Sequence, residues 1–191
     1  HFSEANVRRA LPSLHTNEVL NGRVLQRELD LANANRDRQI YPVLSPGPEP
    51  GTSALELKVQ DRLPWHGRVE LNNYHTPGTP GWRLNTSVTD NNLWQREHQL
   101  GLSYGFTPEA YKSGAEAPDA LLQRPLVAYY GGYYRVPLGN VEFFPTRPAG
   151  SARFGYDEAT RQFRLPSASG RPDVTVYASG SSSDTGLQYG P

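Results

Sequence analysis

The sequence predicts an α+β domain of two helices and two strands, followed by a larger part built of antiparallel strands alone. Apolar residues repeat at helical spacing between Phe2 and Asn35, and then at alternate positions in two short runs that end at Arg62. After Leu63 and Pro64 helical spacing is no longer evident, and apolar residues recur at every second position. We therefore divide the chain into residues 1–63 and residues 64–191.

Both predicted helices begin with a capping residue. Ser3 is a good N-cap with Glu4 in the first turn, and Pro12 should end this helix near Leu11. Asn21 caps the second helix, whose two sides differ in polarity. Its inward stripe comprises Val24, Leu25, Glu28, Leu29 and Ala32, and its wet side carries Arg23, Gln26, Arg27 and Asp30. We expect the two helices to cover one face of a sheet.

Two strands, Gln39–Ser45 and Ala54–Arg62, complete the first domain. Pro42 lies at the centre of the first strand and cannot donate to a ladder, so this strand is either an edge or bulged there. Two interpretations follow. The proline marks a local bulge, or the strand is a recognition edge that pairs with an incoming extended chain by β-augmentation.

The stretch from Trp82 to Phe106 predicts an antiparallel hairpin around a polar break at residues 90–98. One face of the hairpin is apolar, and the other is polar but small and mostly uncharged. The apolar face comprises Trp82, Leu84, Val88, Leu100, Leu102 and Tyr104, and the polar face includes Arg83, Asn85, Ser87 and Ser103. This combination is typical of outer-membrane barrel strands, but a soluble β-sandwich with one wet face also fits it.

The rest of the second part is predicted as strands and one long polar loop. Strands are expected at residues 67–74 and 126–138, weaker ones at 150–165 and 173–179, and the loop at 107–125. The aromatic residues allow a membrane-interface girdle, a sugar-stacking platform or ordinary sandwich packing. These residues are Trp82, Trp94, Tyr104, Tyr129, Tyr130, Tyr133 and Tyr134.

Composition and motifs exclude several classes of function. Net charge is zero without a basic patch, so nucleic acid is not an expected partner. Cysteine is absent, the five histidines lack metal-ligand spacing, and no catalytic or nucleotide-binding motif occurs, so we expect no enzyme, metal site or cofactor. No apolar run approaches the length of a membrane helix. The chain begins at His1 and lacks methionine, so we expect a processed or excised piece of a longer protein.

Several segments match a known family in their order along the chain. FSEANVRRALP and LQRELDLAN precede SPGPEPGTSALELKVQDRLP, and GRVELNNYHTPGTPGWRLNTSVTDNNLWQREHQLGLSY follows at once. The more specific pieces are PGxEPGxSxLxLxV, the NNY of Asn72–Tyr74, the RxNxS of Arg83–Ser87 and the NNLW of Asn91–Trp94. In these features residues 2–139 resemble the outer-membrane transporters of two-partner secretion, which export haemolysin and filamentous haemagglutinin.

The resemblance implies a fold and a function. Residues 1–63 would be an incomplete periplasmic POTRA-like (polypeptide-transport-associated) domain without its leading strand. Residues 64–191 would be the first strands of an incomplete transmembrane β-barrel. The whole would recognise and export a haemolysin- or adhesin-like partner protein at the bacterial outer membrane, without nucleotide or cofactor. The alternative from the residues alone is a soluble β-rich binding module, possibly for carbohydrate.

We assign two sets of candidate site residues on this basis. The extended secretion domain of the partner would bind at Arg23, Arg27, Ile40, Tyr41, Val43 and Leu44. Outer-membrane lipid would contact Trp82, Leu84, Val88, Leu100, Leu102 and Tyr104.

Overall fold

The computed structural model describes residues 1–75, 77–109, 125–138, 154–157, 160–164 and 172–184. These residues contain the helices α1 (Glu4–Ala10) and α2 (Gly22–Asn33). The strands are β1 (Arg38–Pro46), β2 (Ser53–Asp61), β3 (Trp65–Asn72), β4 (Arg83–Leu93), β5 (His98–Phe106), β6 (Val127–Pro137), β7 (Gly155–Asp157), β8 (Gln162–Arg164) and β9 (Asp173–Ser183). Within the described ranges, both helices precede Leu63 and every strand pair is antiparallel, as predicted.

The predicted helix caps are confirmed. The Ser3 hydroxyl accepts a hydrogen bond from the backbone N–H of Asn6, and the Asn21 side chain accepts from two backbone N–H groups of the first turn of α2. α1 ends at Ala10, directly before Leu11 and Pro12, because the proline ring excludes a further helical turn.

The two helices and the β1–β2 ribbon form one compact region, which we call the helical unit. Its core combines residues from α1, α2 and β1: Val7, Ala10, Leu11, Leu25, Leu29, Ala32 and Ile40. Leu55 and Leu57 of β2 pack against this core. Glu28 is buried on the inward side of α2, where its carboxylate accepts hydrogen bonds from the N–H and hydroxyl of Ser13.

Five strands form a second sheet in the order β3-β4-β5-β6-β9, which we call the meander sheet. Each strand pairs with its neighbour in antiparallel register, and the short β7–β8 hairpin lies in the chain between β6 and β9. β9 extends to Ser183, beyond the predicted limit of Ser179, because it pairs along the whole of β6.

The turn between β4 and β5 is shorter than predicted. β4 continues to Leu93 with an irregularity in register between Asp90 and Leu93, so a polar break beginning at residue 90 is wrong. The turn is residues 94–97, and three of its residues have left-handed backbones: Trp94 (φ 55°), Gln95 (59°) and Glu97 (60°). The predicted loop at 107–125 lies mostly outside the described residues.

Candidate membrane-facing and partner-binding surfaces

The predicted apolar residues of β4 and β5 share one face of the meander sheet, which we call the first face. The register pairs Val88 with Leu102 and Leu84 with Phe106. Because side chains alternate between the two sides of a strand, paired residues lie on the same side. Val69 and Leu71 of β3, and Val174 and Val176 of β9, extend the first face across all five strands. Leu102 is 57% exposed and Val69 is 73% exposed, so the middle of this apolar face is open.

Charged side chains segregate to the opposite side, the second face. Register places Arg68, Glu70, Arg83, Arg135 and Asp173 on that face. The structure describes every Lys, Arg, Asp and Glu residue of the five strands. Among them, Asp90 alone lies on the first face. It lies at the end of the first face nearest the helical unit, where its carboxylate accepts a hydrogen bond from the Asn92 N–H. The first face is thus free of formal charge over its central part.

Aromatic residues lie at both ends of the first face. Near the helical unit, Trp65 is exposed at the start of β3, and Trp94 contacts Tyr134 edge-on with ring centroids 6.0 Å apart. At the far end, Trp82 is exposed just before β4, and Phe106 ends β5. An apolar band between two sets of aromatic residues has the layout of a membrane-facing sheet.

The β7–β8 hairpin packs on the second face, over β6. The ring of Tyr156 stacks on Tyr129 with centroids 4.0 Å apart. A side chain at Gly131 would place its Cβ within 2.5 Å of the Phe163 ring, so glycine is needed where the hairpin crosses β6. Around β6, the second face is therefore covered by this chain's own aromatic residues.

The four tyrosines of β6 divide between the two faces. Tyr130 and Tyr134 lie on the first face, while Tyr129 and Tyr133 lie on the second, beside the β7–β8 hairpin. Of these four, a membrane-interface girdle, one of the three interpretations, could therefore include only Tyr130 and Tyr134, because adjacent strand residues point to opposite sides. The same alternation prevents all four rings from forming one flat platform for sugar stacking.

The outer edge of β1, the edge turned away from β2, is partly blocked by Asn33. The carbonyl of Asp37 and the N–H of Gly47 both bond to residues flanking β2, at 2.8 and 2.9 Å, so odd-numbered positions of β1 face β2. The N–H and carbonyl of Ile40 point the other way. There the Asn33 side-chain amide binds both, at 2.7 and 3.1 Å.

Beyond the position bound by Asn33, the outer edge of β1 offers few donors. The outward positions are Pro42, Leu44 and Pro46, and a proline has no N–H. Among these three, Leu44 alone has both an outward N–H and an outward carbonyl. The backbone N–H and carbonyl of Val43 point towards β2 instead. Prolines at an exposed edge are a known protection against unwanted strand pairing, and they limit pairing here to a short segment.

The six predicted partner-binding residues lie in different environments. Ile40 is only 1% exposed and belongs to the core, so its side chain is not available to a partner in this structure. Leu44 is 58% exposed on the same side of the ribbon as Ile40, whereas Tyr41 and Val43 are exposed on the other side. The remaining two, on the exposed side of α2, are Arg23 and Arg27.

A polar junction, not predicted from the sequence, joins the helical unit to the β4–β5 turn. Its centre is Arg38, which is completely buried and lies 2.6 Å from a carboxylate oxygen of Glu97. The sequence carries no local signal for it, because burial of Arg38 is visible only in the structure and its partner Glu97 is distant in sequence. Within the described ranges no group of three or more His, Asp or Glu side chains could hold a metal ion. No helix among these residues has the length and apolarity needed to cross a membrane.

Comparisons with known proteins agree with the resemblance stated from the sequence. No family model matches the chain. The chain is 28% identical, over 132 residues, to the outer membrane transporter CdiB of Dickeya dadantii (strain 3937). The match covers 69% of this chain, which spans about a quarter (24%) of that relative's length. A solved structure of CdiB from Escherichia coli aligns with 72% of this chain and 24% of its own, at 20% identity and a TM-score of 0.47.

The sequence match carries the conclusion, since the structural alignment is too weak to add to it. The relative is a transporter by name, which agrees with the expectation that this chain is not an enzyme. The predicted resemblance is confirmed at this level: the chain is similar to a segment of an outer membrane transporter of the CdiB type.

Proposed function

We propose that the meander sheet is part of the wall of an outer-membrane β-barrel transporter, and that this transporter exports a partner protein. The observation that supports this proposal most strongly is the separation of formal charge from the first face. Formal charges in the five strands lie on the second face, apart from Asp90 at one end of the first. The similarity to a named outer membrane transporter supports the same reading.

The lengths of the strands suit this role. A strand that crosses a bilayer needs about 9–11 residues when tilted. β4, β6 and β9 have 11 residues each, β5 has 9 and β3 has 8. With lipid against the first face, the exposed side chains of Val69 and Leu102 would leave water, which is favourable for apolar surface. The second face, with its small polar residues, would then line the interior of the barrel.

We further propose that the helical unit, residues 1–63, is a periplasmic POTRA-like domain that captures the exported chain at the edge of β1. Backbone pairing would centre on Leu44, where the outward N–H and carbonyl are both present. Exposed side chains of Tyr41 and Val43 flank that position and would supply selectivity. Arg23 and Arg27 on α2 would meet acidic groups of the partner. Ile40 is not part of this proposed contact surface.

Probes at two adjacent residues test the lipid-facing assignment. The chain has no cysteine, so Leu102→Cys and Ser103→Cys each carry one thiol for an environment-sensitive fluorophore. These neighbours lie on opposite faces of β5. After reconstitution in phosphatidylcholine vesicles, the probe at residue 102 should emit as in an apolar medium. It should also be quenched by lipids brominated on their acyl chains.

The probe at residue 103 is the matched control. It should emit as in a polar medium and resist quenching from the acyl chains. Equal emission and equal quenching at the two positions would contradict the proposal, because both faces would then have the same surroundings. Strong quenching at residue 103 alone would reverse the assignment of the faces.

A further inference from the structure

The β4–β5 turn is held by the beginning of the chain. The Gln95 side chain accepts a hydrogen bond from the Ser3 N–H and donates one to the His1 carbonyl, both at 2.9 Å. The Gln95 backbone carbonyl accepts from the side chains of Asn6, at 2.8 Å, and Arg9, at 3.2 Å. One residue of the turn therefore binds four residues at or beside α1.

Arg38 provides a buried charge at the same junction. It is 0% exposed, and its guanidinium forms an ion pair with Glu97 at 2.6 Å. It also donates to the Asn6 side chain and, at 3.0 Å, to the Ala32 carbonyl. The guanidinium lies over the Phe2 ring, 5.3 Å from its centroid. The hydrogen bonds to Asn6 and Ala32 and the contact with the Phe2 ring fix Arg38 within the helical unit, so its ion pair with Glu97 reaches across to the sheet.

A second group of contacts lies one residue away along β1. The Asp37 carboxylate accepts a hydrogen bond from the Asn91 side chain at 2.8 Å and lies 2.8 Å from Nε2 of His66. The Asn91 N–H donates to the Pro64 carbonyl at 3.0 Å. Asp37 therefore anchors the start of β1 to both β3 and β4.

These contacts are polar, whereas the apolar core of the helical unit is built from residues of that unit. The buried residues of that core, and the residues packed on it, all lie between Val7 and Leu57. A junction of this kind resembles a separable interface between domains more than a shared core. The turn also needs external support, because Trp94, Gln95 and Glu97 all have left-handed backbones, which non-glycine residues seldom adopt.

We propose that Arg38 and Glu97 are the centre of a releasable latch, which fixes the orientation of the helical unit against the end of the meander sheet. The structure shows the latch closed: residues 94, 95 and 97 have left-handed backbones, and Gln95 and Glu97 both contact the helical unit. Release of the helical unit and relaxation of residues 94–97 are one event. Loss of the Glu97 charge opens the latch, because it removes the carboxylate that lies 2.6 Å from the buried Arg38 guanidinium and joins it to the turn.

A distance within the chain tests this. Spin labels at Arg23→Cys on α2 and Val69→Cys on β3 are the only thiols in the chain, and both positions are exposed. Pulsed electron resonance on the chain folded in detergent micelles should give one narrow distance distribution. Glu97→Gln should add a broad second population, and that population should become the larger one. The circular dichroism spectrum should remain that of the parent, since the substitution leaves the helices and strands of the helical unit and of the meander sheet intact.

Glu70→Gln is the matched control. It removes an exposed ion pair with Arg68 within β3 and should leave the narrow distribution unchanged. If Glu97→Gln fails to fold, Gln95→Ala removes the bonds to Ser3 and His1 without touching the buried charge, and it should broaden the distribution. Parent-like distances in a folded Glu97→Gln chain, or in Gln95→Ala when Glu97→Gln is unfolded, would overturn the latch. Because the readout is internal to the chain, failure of the latch and failure of the export proposal are distinguishable.

Discussion

Replacing Leu102 by arginine would put a charge at the centre of the first face. Leu102 is the fifth of the nine residues of β5 and pairs with Val88 on one side and Gly132 on the other. At about 3.3 Å per residue, each end of β5 lies about 13 Å away along the strand. The apolar band of an outer-membrane barrel is about 25 Å tall, so Leu102 would lie close to its midplane.

The expected cost follows from this depth. Arginine on the lipid face costs about 2–4 kcal/mol at the midplane and about 0–1 kcal/mol near the interfaces. Leu102→Arg should fall in the first range. Leu84 pairs with Phe106, the last residue of β5, so Leu84→Arg should fall in the second. Ser103→Arg places the same charge on the second face and should have little effect on insertion.

The assay is reversible folding of each variant into phosphatidylcholine vesicles, followed by tryptophan fluorescence across a urea titration. The expected order of destabilisation is Leu102→Arg, then Leu84→Arg, then Ser103→Arg. Equal shifts for the two arginines at residues 102 and 103 would refute the assignment of faces. A larger shift for Leu84→Arg than for Leu102→Arg would refute the placement of Leu102 near the midplane of the apolar band.

Four further substitutions test other contacts. Val43→Pro should lower the melting temperature, because it removes an N–H from the β1–β2 ladder, whereas Leu44→Pro should keep the fold by circular dichroism and weaken binding of the partner's secretion domain; equal affinity of Leu44→Pro and the parent would exclude this edge. Asn33→Ala should cost about 1–3 kcal/mol in thermal unfolding, since it strips the outward N–H and carbonyl of β1 of their partner. Gly131→Ala should displace the Phe163 ring and lower near-ultraviolet circular dichroism with little change in the far ultraviolet; an unchanged near-ultraviolet spectrum would contradict the packing of the β7–β8 hairpin.

Local patterns were enough to predict the two helices and the long strands in the described part of this chain. Ser3 and Asn21 cap helices through their own side chains, so the residues alone locate both helix starts. Strict alternation around Val88 and Leu102 sets the two faces, because a slip of one residue would send the apolar set to the charged side.

Features that depend on distant partners were not predictable. Asn91 and Asn92 have the composition of a turn, but they belong to β4 because their side chains bond to Asp37 and Asn6 of the helical unit. The sequence also does not predict which backbone groups of β1 point towards β2 and which point to the outer edge. The sequence locates the proline in that strand, but not the Asn33 amide that occupies its edge.

The polar character of the junction determines how the protein should melt. Two regions that share an apolar core lose it together, whereas regions that, among the described residues, meet through hydrogen bonds and ion pairs such as that of Arg38 and Glu97 can unfold separately. Calorimetry should therefore resolve the helical unit and the meander sheet as two transitions. The junction itself should add little to the heat capacity of unfolding, because exposed polar surface lowers that quantity while apolar surface raises it. On heating, the two regions on either side of Leu63 and Pro64 would then unfold as two small proteins do, each with its own stability curve.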